Sequence, residues 1–164
     1  MRLPFIGGRP RDCTILPLIA RHGAALARLH REDFARPWTG GEFADLLAEK
    51  TVFGFAAFET GNAKAGPKGF VLARLAAGEA EILTVAVARS HRRRGLGRQL
   101  MDAVLRRLHA LRAEALFLEV DETNQPAIAL YRRLGFREVG KRPSYYDAGG
   151  GRKSNALVMR RDLR

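Results

Sequence analysis

Apolar positions along this chain follow two rhythms that take turns. Short runs rich in β-branched and aromatic residues, with the period of a strand, lie at Cys13–Leu16, Val52–Glu59, Gly69–Leu75, Ala80–Val87, Leu116–Val120, Phe136–Gly140 and Ala156–Met159. Between them lie segments with helical spacing. Leu18–Leu29 places Ile19, Ala24, Leu26 and Leu29 on one face, and Leu100, Val104, Leu108 and Leu111 do the same further on. Thr39-Gly40-Gly41-Glu42 has the form of a capping box, with Phe43, Leu46 and Leu47 behind it, so a helix starts near residue 40. Asn124–Leu134 reads as a short helix with Pro126 in its first turn and Gly135 at its stop.

Turn formers set the connections. The stretch from Thr60 to Lys68 is rich in Gly, Asn and Pro, which predicts an antiparallel hairpin between the strands on either side. Ala76-Ala77-Gly78 makes the next turn, and a polar, glycine-rich loop at Asp147–Ser154 separates the closing strands. Strands first, then strand-helix-strand-helix, predict a mixed α/β (α+β) domain: a mostly antiparallel sheet containing one parallel crossover, flanked by helices. No internal repeat interrupts the pattern. The organisation expected is an N-terminal extension over residues 1–11 and a single domain over 12–164.

Bulk composition adds limits. The 164 residues, 46% apolar and 28% charged, suit one globular domain with a real core. No window is apolar for long enough to span a bilayer, and the first residues lack a secretory pattern, so a cytoplasmic setting with no membrane partner is expected. Cys13 is the only cysteine, which excludes an internal disulfide and a cysteine metal cage; its neighbours suggest a buried structural thiol. The formal charge of +12 is spread along the chain and attracts polyanions in general, including nucleic acid and phosphate-rich cofactors. Charge alone does not choose between them. A non-catalytic nucleic-acid-binding protein is therefore one reading, although the chain has no helix-turn-helix, zinc finger or RNP-like aromatic tract.

The run Arg92-Arg93-Arg94-Gly95-Leu96-Gly97 joins the strand ending at Val87 to the helix that follows. Glycine removes Cβ atoms, so consecutive backbone N–H groups can approach an anion. The helix start adds unpaired donors and the positive end of its dipole, and arginines supply charge-assisted donors. The alternative is an ordinary helix start with a solvated basic face. The motif has neither the Gly-Lys-Ser/Thr ending of a P-loop nor the late glycine of the dinucleotide fingerprint.

Three residues downstream invite chemistry. Glu119 interrupts an apolar strand and faces away from Leu116, Leu118 and Val120. It is either a carboxylate paired with an arginine at a partly solvated face, or a proton acceptor at a sheet surface. Tyr131 lies among Ala127, Leu130 and Leu134 on the short helix; it is core, or its phenol reaches a cleft and donates a proton. Asn124 is the cap of that helix, which alone accounts for it.

Val85-Ala86-Val87, the arginine–glycine turn, Leu118-Glu119-Val120, Asn124 and Ala129-Leu130-Tyr131-Arg132-Arg133-Leu134-Gly135-Phe136 together resemble the GNAT superfamily of acyl-CoA-dependent N-acetyltransferases. The resemblance covers residues 12–162 and is most specific from 80 to 140. It is especially similar to the RimI-type group, which acetylates the N-terminal alanine of a small-subunit ribosomal protein. It implies a sheet whose middle strands splay apart, acetyl-CoA as co-substrate and no metal. The amides around Arg94, Gly95 and Gly97, with Arg92, Arg93 and Arg98 nearby, would cradle the CoA pyrophosphate. Val85 and Val87 would hold the pantetheine arm by their backbone, the Val85 N–H also polarising the thioester carbonyl, and Asn124 would contact the same arm. Glu119 would be the general base and Tyr131 the acid for the leaving thiolate, with phenol and thiol of comparable acidity. Phe34-Ala35-Arg36-Pro37-Trp38 and the pair Tyr145-Tyr146 look like the acceptor-side segments.

Two features depart from this pattern. Arg89 stands where a proline is usual before the basic turn, and Glu81 is a rival base, because histone-type lysine acetyltransferases look similar at Ala80-Glu81-Ile82. His91 reads as a rim residue and His109 as solvated. The leading expectation is transfer of acetyl to the α-amine of a ribosomal protein. A lysine side chain, polyamine or aminoglycoside acceptor is the alternative within the same chemistry.

Overall fold

A computed structural model describes residues 12–147 and 153–164, without the side chains of 144–147. The expected 1–11 extension and the middle of the 147–154 loop lie outside these residues. In chain order the elements are β1 (Cys13–Pro17), α1 (Gly23–His30), α2 (Gly40–Ala48), β2 (Val52–Glu59), β3 (Pro67–Ala76), β4 (Glu79–Val87), α3 (Leu96–Ala110), β5 (Ala115–Asp121), α4 (Gln125–Arg133), β6 (Arg137–Asp147) and β7 (Lys153–Asp162). The strands form one seven-stranded sheet in the order β1-β2-β3-β4-β5-β7-β6. All pairings are antiparallel except β4 with β5, as the order of sequence periods predicts.

Boundaries differ from the sequence reading in three places. The apolar spacing at 18–29 begins as a one-turn 3-10 helix at Ala20–His22 and becomes α-helical only from Gly23. The chain also takes a 3-10 turn at Arg89–His91 before reaching the glycines. The closing strands run longer than 136–140 and 156–159, because β6 and β7 pair with each other through their polar ends as well. Hydrogen bonding between strands does not require apolar side chains, so periodicity underestimates them.

Two cores hold the sheet. On one face α3 and α4 pack Leu100, Met101, Val104 and Leu108 against Val71, Leu116, Leu118, Val120 and Met159. On the other, α1 and α2 bury Leu26, Phe43, Phe70 and Leu72 against β2, β3 and β4. β3 is therefore covered on both sides, and its run Phe70-Val71-Leu72-Ala73 is fully buried. The capping box of α2 forms as read: Thr39 Oγ1 accepts from Glu42 N–H at 3.1 Å and Glu42 Oε2 from Thr39 N–H at 3.2 Å.

No helix among the described residues is long and apolar enough to cross a membrane. Cys13 is partly exposed on edge strand β1, rather than buried, and burial is the main cause that pushes its thiol up.

Candidate active site

The parallel pair at the centre of the sheet is short. Only Glu79, Ala80 and Glu81 of β4 pair with Ala115, Leu116 and Phe117 of β5. Beyond Glu81 and Phe117 the strands part, while β4 stays paired to β3 through Val87 and β5 to β7 through Asp121. Backbone groups of residues 82–87 on that edge face the gap with no strand partner among the described residues. An extended ligand arm can pair there as an added strand would.

β4 also changes phase here. Leu72 pairs with Thr84 but Ala73 pairs with Ile82, so Leu83 is an extra residue in a β-bulge. Ile82, Val85 and Val87 pack toward the α3 side, whereas Leu83 and Ala86 pack toward α1 and α2. The bulge thus turns both valines of the Val85-Ala86-Val87 run onto the face where the basic turn lies.

That turn is left-handed at two residues, Arg93 (φ 61°) and Gly95 (φ 76°). Gly95 caps α3, no side chain caps the helix, and its first turn carries no acidic residue. A Cβ at Gly95 would meet nothing within 4 Å, so glycine is needed for its backbone angle and leaves the amides open. Gly97 has a different reason. A Cβ there would stand 3.3 Å from Leu130 Cδ2, so this glycine lets α4 lie close to α3 beside the gap. Arg93 and Arg94 are exposed and have no ion pair among the described residues. Arg92 is instead a brace: its guanidinium binds Asp33 Oδ2, and its Nε donates to the Val87 carbonyl at 3.3 Å. Arg98 makes only a loose pair with Asp102, at 3.9 Å.

One candidate group stands on each face of the gap. Glu119 lies two residues past the last β4–β5 pair, on the face opposite Leu118 and Val120, with its side chain 27% exposed. Arg142 of β6 pairs with it at 2.7 Å, so the arginine partner that the sequence left open is present. Tyr131 is on the other face, 7% exposed within the α3–α4 core, edge-on to Phe136 at 5.9 Å. Among the described residues no side-chain oxygen is both buried and unpartnered, and Tyr131 makes no hydrogen bond, so its phenol oxygen must reach solvent. Burial pushes this phenol up to about 12. Desolvation is the cause, since a site that excludes water favours the neutral phenol over the phenolate. Such a phenol keeps its O–H as a hydrogen-bond donor.

The gap, the open amides at the start of α3, and a carboxylate and phenol on opposite faces make one candidate site. The chain matches the Acetyltransferase (GNAT) family over residues 23–136. It is 32% identical, over 89% of its length and 95% of the relative's, to the [Ribosomal protein bS18]-alanine N-acetyltransferase of Escherichia coli K12. This chain belongs to the GNAT acetyltransferase family. The N-alpha-acetyltransferase RimI of Mycobacterium tuberculosis is 39% identical over 84 residues, where the match spans about half of each chain, 51% and 49%. The crystal structure of the ribosomal-protein-S18-alanine N-acetyltransferase from Escherichia coli superposes with a TM-score of 0.83 at 28% identity, covering 92% of this chain and 94% of that one. As a GNAT enzyme the protein is an acyl-CoA-dependent N-acetyltransferase with acetyl-CoA as its co-substrate.

Other residues singled out in the sequence of this GNAT domain are placed as follows. Asn124 caps α4, its Oδ1 accepting from Ala127 N–H at 3.3 Å, which leaves the amide nitrogen for a ligand. Glu81 lies on the same face as Glu119 at the last β4–β5 pair, but it is exposed and pairs with Arg74 at 3.4 Å. Trp38 is half-buried ahead of α2. Tyr145 and Tyr146 lie on β6 by their backbone; their side chains fall outside the described ones. His91 is not a rim residue: it is 8% exposed, bridging Glu59 at 2.9 Å and Ser90 at 2.7 Å. His109 is exposed, as read. No group of His, Cys, Asp and Glu suited to a metal occurs among the described residues.

Sequence reading missed His30 and Thr84. His30 is 2% exposed, with Nε2 3.2 Å from Thr84 Oγ1 in the β4 bulge and Nδ1 accepting from Trp38 N–H at 3.1 Å. A threonine inside Ile82-Leu83-Thr84-Val85 and a histidine closing an apolar helical face were the available signals.

Proposed function

We propose that this enzyme transfers acetyl from acetyl-CoA to the N-terminal α-amine of a protein beginning with alanine, a small-subunit ribosomal protein of the bS18 kind, in a cytoplasmic setting. The observation that carries the reading is the near full-length match to an enzyme named for that reaction, joined to a carboxylate and a phenol on opposite faces of one gap. Acceptor and coenzyme then enter from opposite sides and meet without exchanging places.

Acetyl-CoA supplies the activated acyl group. The amides of residues 94–97, with Arg93 and Arg94 at the rim and Arg92 and Arg98 behind, hold its diphosphate. The edge of β4 at Val85 and Val87 holds the pantetheine arm, helped by Asn124, and the Val85 N–H polarises the thioester carbonyl. An α-amine has an ordinary pKa of about 8, so modest assistance frees its lone pair. Glu119 takes the amine's proton through water as the C–N bond forms. Tyr131 steadies the sulfur with its O–H as the C–S bond breaks and then gives up its proton. Trp38 and the β6 stretch that carries Tyr145 and Tyr146 belong to the acceptor side, and Glu81, tied to Arg74, borders the peptide rather than taking its proton.

Mass spectrometry tests this directly. Purified enzyme and acetyl-CoA are given an alanine-initiated ribosomal peptide, the same peptide with a blocked N-terminus but free lysine, and spermidine. Acetyl on the first α-amine alone supports the reading. Turnover confined to the lysine or the polyamine overturns it.

A further inference from the structure

We propose that His30 is a positioning residue for the acceptor, joining the Phe34–Trp38 segment to the β4 bulge so that the segment stands beside the gap. The inference deepens the reading given above and rests on it where acceptor binding is concerned.

His30 has a partner on each ring nitrogen. Because Nδ1 accepts from the Trp38 backbone N–H, the imidazole carries its proton on Nε2, and that nitrogen donates to Thr84 Oγ1. Thr84 immediately precedes Val85 in the bulge that turns β4 toward the coenzyme. One ring therefore connects the segment that faces the acceptor with the strand that faces the thioester. The same ring stacks on Phe34 at 3.9 Å and 7°, and on Trp38 at 5.2 Å, and meets Phe43 edge-on at 5.3 Å. These contacts come from both sides of the segment and from α2. Burial keeps the imidazole below its ordinary range, so it stays in the neutral form that the Trp38 bond requires.

The segment is anchored at a second point. Asp33 and Glu32 reach the 3-10 turn before the coenzyme glycines: Glu32 Oε2 accepts from Arg89 N–H at 3.0 Å, and Asp33 pairs with Arg92. Those bonds are exposed and hold the segment's start. At its far end Trp38 gives its backbone N–H to His30 in a part-buried bond, and its ring also packs on Phe43 at 5.3 Å; the His30–Thr84 bond that ties the ring to β4 is buried. A core histidine without this duty would need partners, but not one partner in the acceptor segment and another beside Val85.

Trp38 is the single tryptophan of the chain, so its emission reports the segment without reference to turnover. The experiment compares wild type with His30→Leu, which keeps bulk and removes both bonds, His30→Asn, which keeps an acceptor for Trp38 N–H, and Thr84→Val, which is nearly isosteric. For His30→Leu the acceptor KM rises about tenfold, as for one lost buried hydrogen bond at a binding segment, while kcat and the KM for acetyl-CoA stay within about twofold. Trp38 emission shifts to the red and iodide quenches it more strongly. His30→Asn restores the emission and most of the acceptor KM, and Thr84→Val falls between. Unchanged Trp38 emission and acceptor KM in Thr84→Val and in a folded His30→Leu overturn the proposal, as do loss of both in His30→Asn to the level of His30→Leu and an equal rise in both KM values. If His30→Leu does not fold, Thr84→Val and His30→Asn decide. If wild type leaves the alanine peptide untouched, the acceptor reading fails, and Trp38 emission still tells whether His30 holds the segment.

Discussion

The face of the sheet that carries Glu119 is built in two unlike halves. Over β2, β3 and β4 it lies under α1 and α2, with Phe43, Phe70, Leu26 and Leu72 fully buried and His30 enclosed among aromatic rings. Over β5 and β7 the same face bears Phe117, Glu119, Val158 and Arg160, all only partly buried, with the Arg160 guanidinium 5.1 Å from the Phe117 ring. The border between the halves is the gap. A carboxylate in the covered half would be stripped of water; in the open half it keeps water within reach and an arginine to orient it. Glu119 stands where the helices stop.

The sharpest test of this contrast is catalytic. Glu119→Gln should lower kcat by about 10²–10⁴-fold with little change in melting temperature, as for loss of a general base. Glu81→Gln, on the same face but exposed and tied to Arg74, should stay within about twofold. Steady-state kinetics with an alanine-initiated peptide reads both, and equal losses would erase the distinction between the two carboxylates.

Stability gives the mirror image. Phe43→Ala in the covered half should cost about 3–5 kcal/mol, the usual range for a fully buried aromatic. Phe117→Ala in the open half should cost well under half as much, because its site is already in contact with water. Urea denaturation followed by circular dichroism compares them.

A smaller effect is expected at the coenzyme turn. Gly95→Ala puts a Cβ into open space at φ 76°, so only backbone strain is incurred, about 1–2 kcal/mol. Isothermal titration should show weaker CoA binding alongside that loss, whereas Gly97→Ala should act mainly through crowding of Leu130.

The smallest effects are those of pH. Burial lowers His30, so the unfolded chain binds its proton first, and stability falls as pH drops below the ordinary value of 6.5. Asp121 adds to this at lower pH: burial raises it, but hydrogen bonds from Thr123 and Ser154 together bring it below its ordinary range. Its contribution is lost as pH falls through the folded value. On the alkaline side Tyr131 reverses the sign. The unfolded phenol ionises first, near 10, and stability is lost from there until the folded phenol follows at about 12. Melting temperature measured from pH 4 to 11 should therefore drop at both ends, with a smaller alkaline drop in Tyr131→Phe, where the raised Cys13 thiol still contributes.

Most elements, the crossover and the arginine–glycine turn before α3 were legible because each rests on local physics: the period of apolar residues, a capping box, a positive φ that favours glycine. Glu119 and Tyr131 were visible as a charge in a strand and a phenol on a helix, conspicuous against their neighbours. Length and partnership were not legible in the same way. Polar strand ends at β6 and β7 are held by backbone pairing, which leaves no mark on side-chain type.

The sequence by itself determined the alternation of strands and helices and singled out the arginine–glycine turn, Glu119 and Tyr131 as candidates, since all of these depend on residues a few positions apart. Only the tertiary structure decided that β4 and β5 part after Glu81 and that carboxylate and phenol stand on opposite faces of the opening. It also decided that Arg92 braces Asp33, and that His30 bonds both Trp38 and Thr84, the latter 54 residues further along the chain. Those facts depend on contacts between distant segments, and burial, pairing and ionisation are properties of the place a side chain reaches.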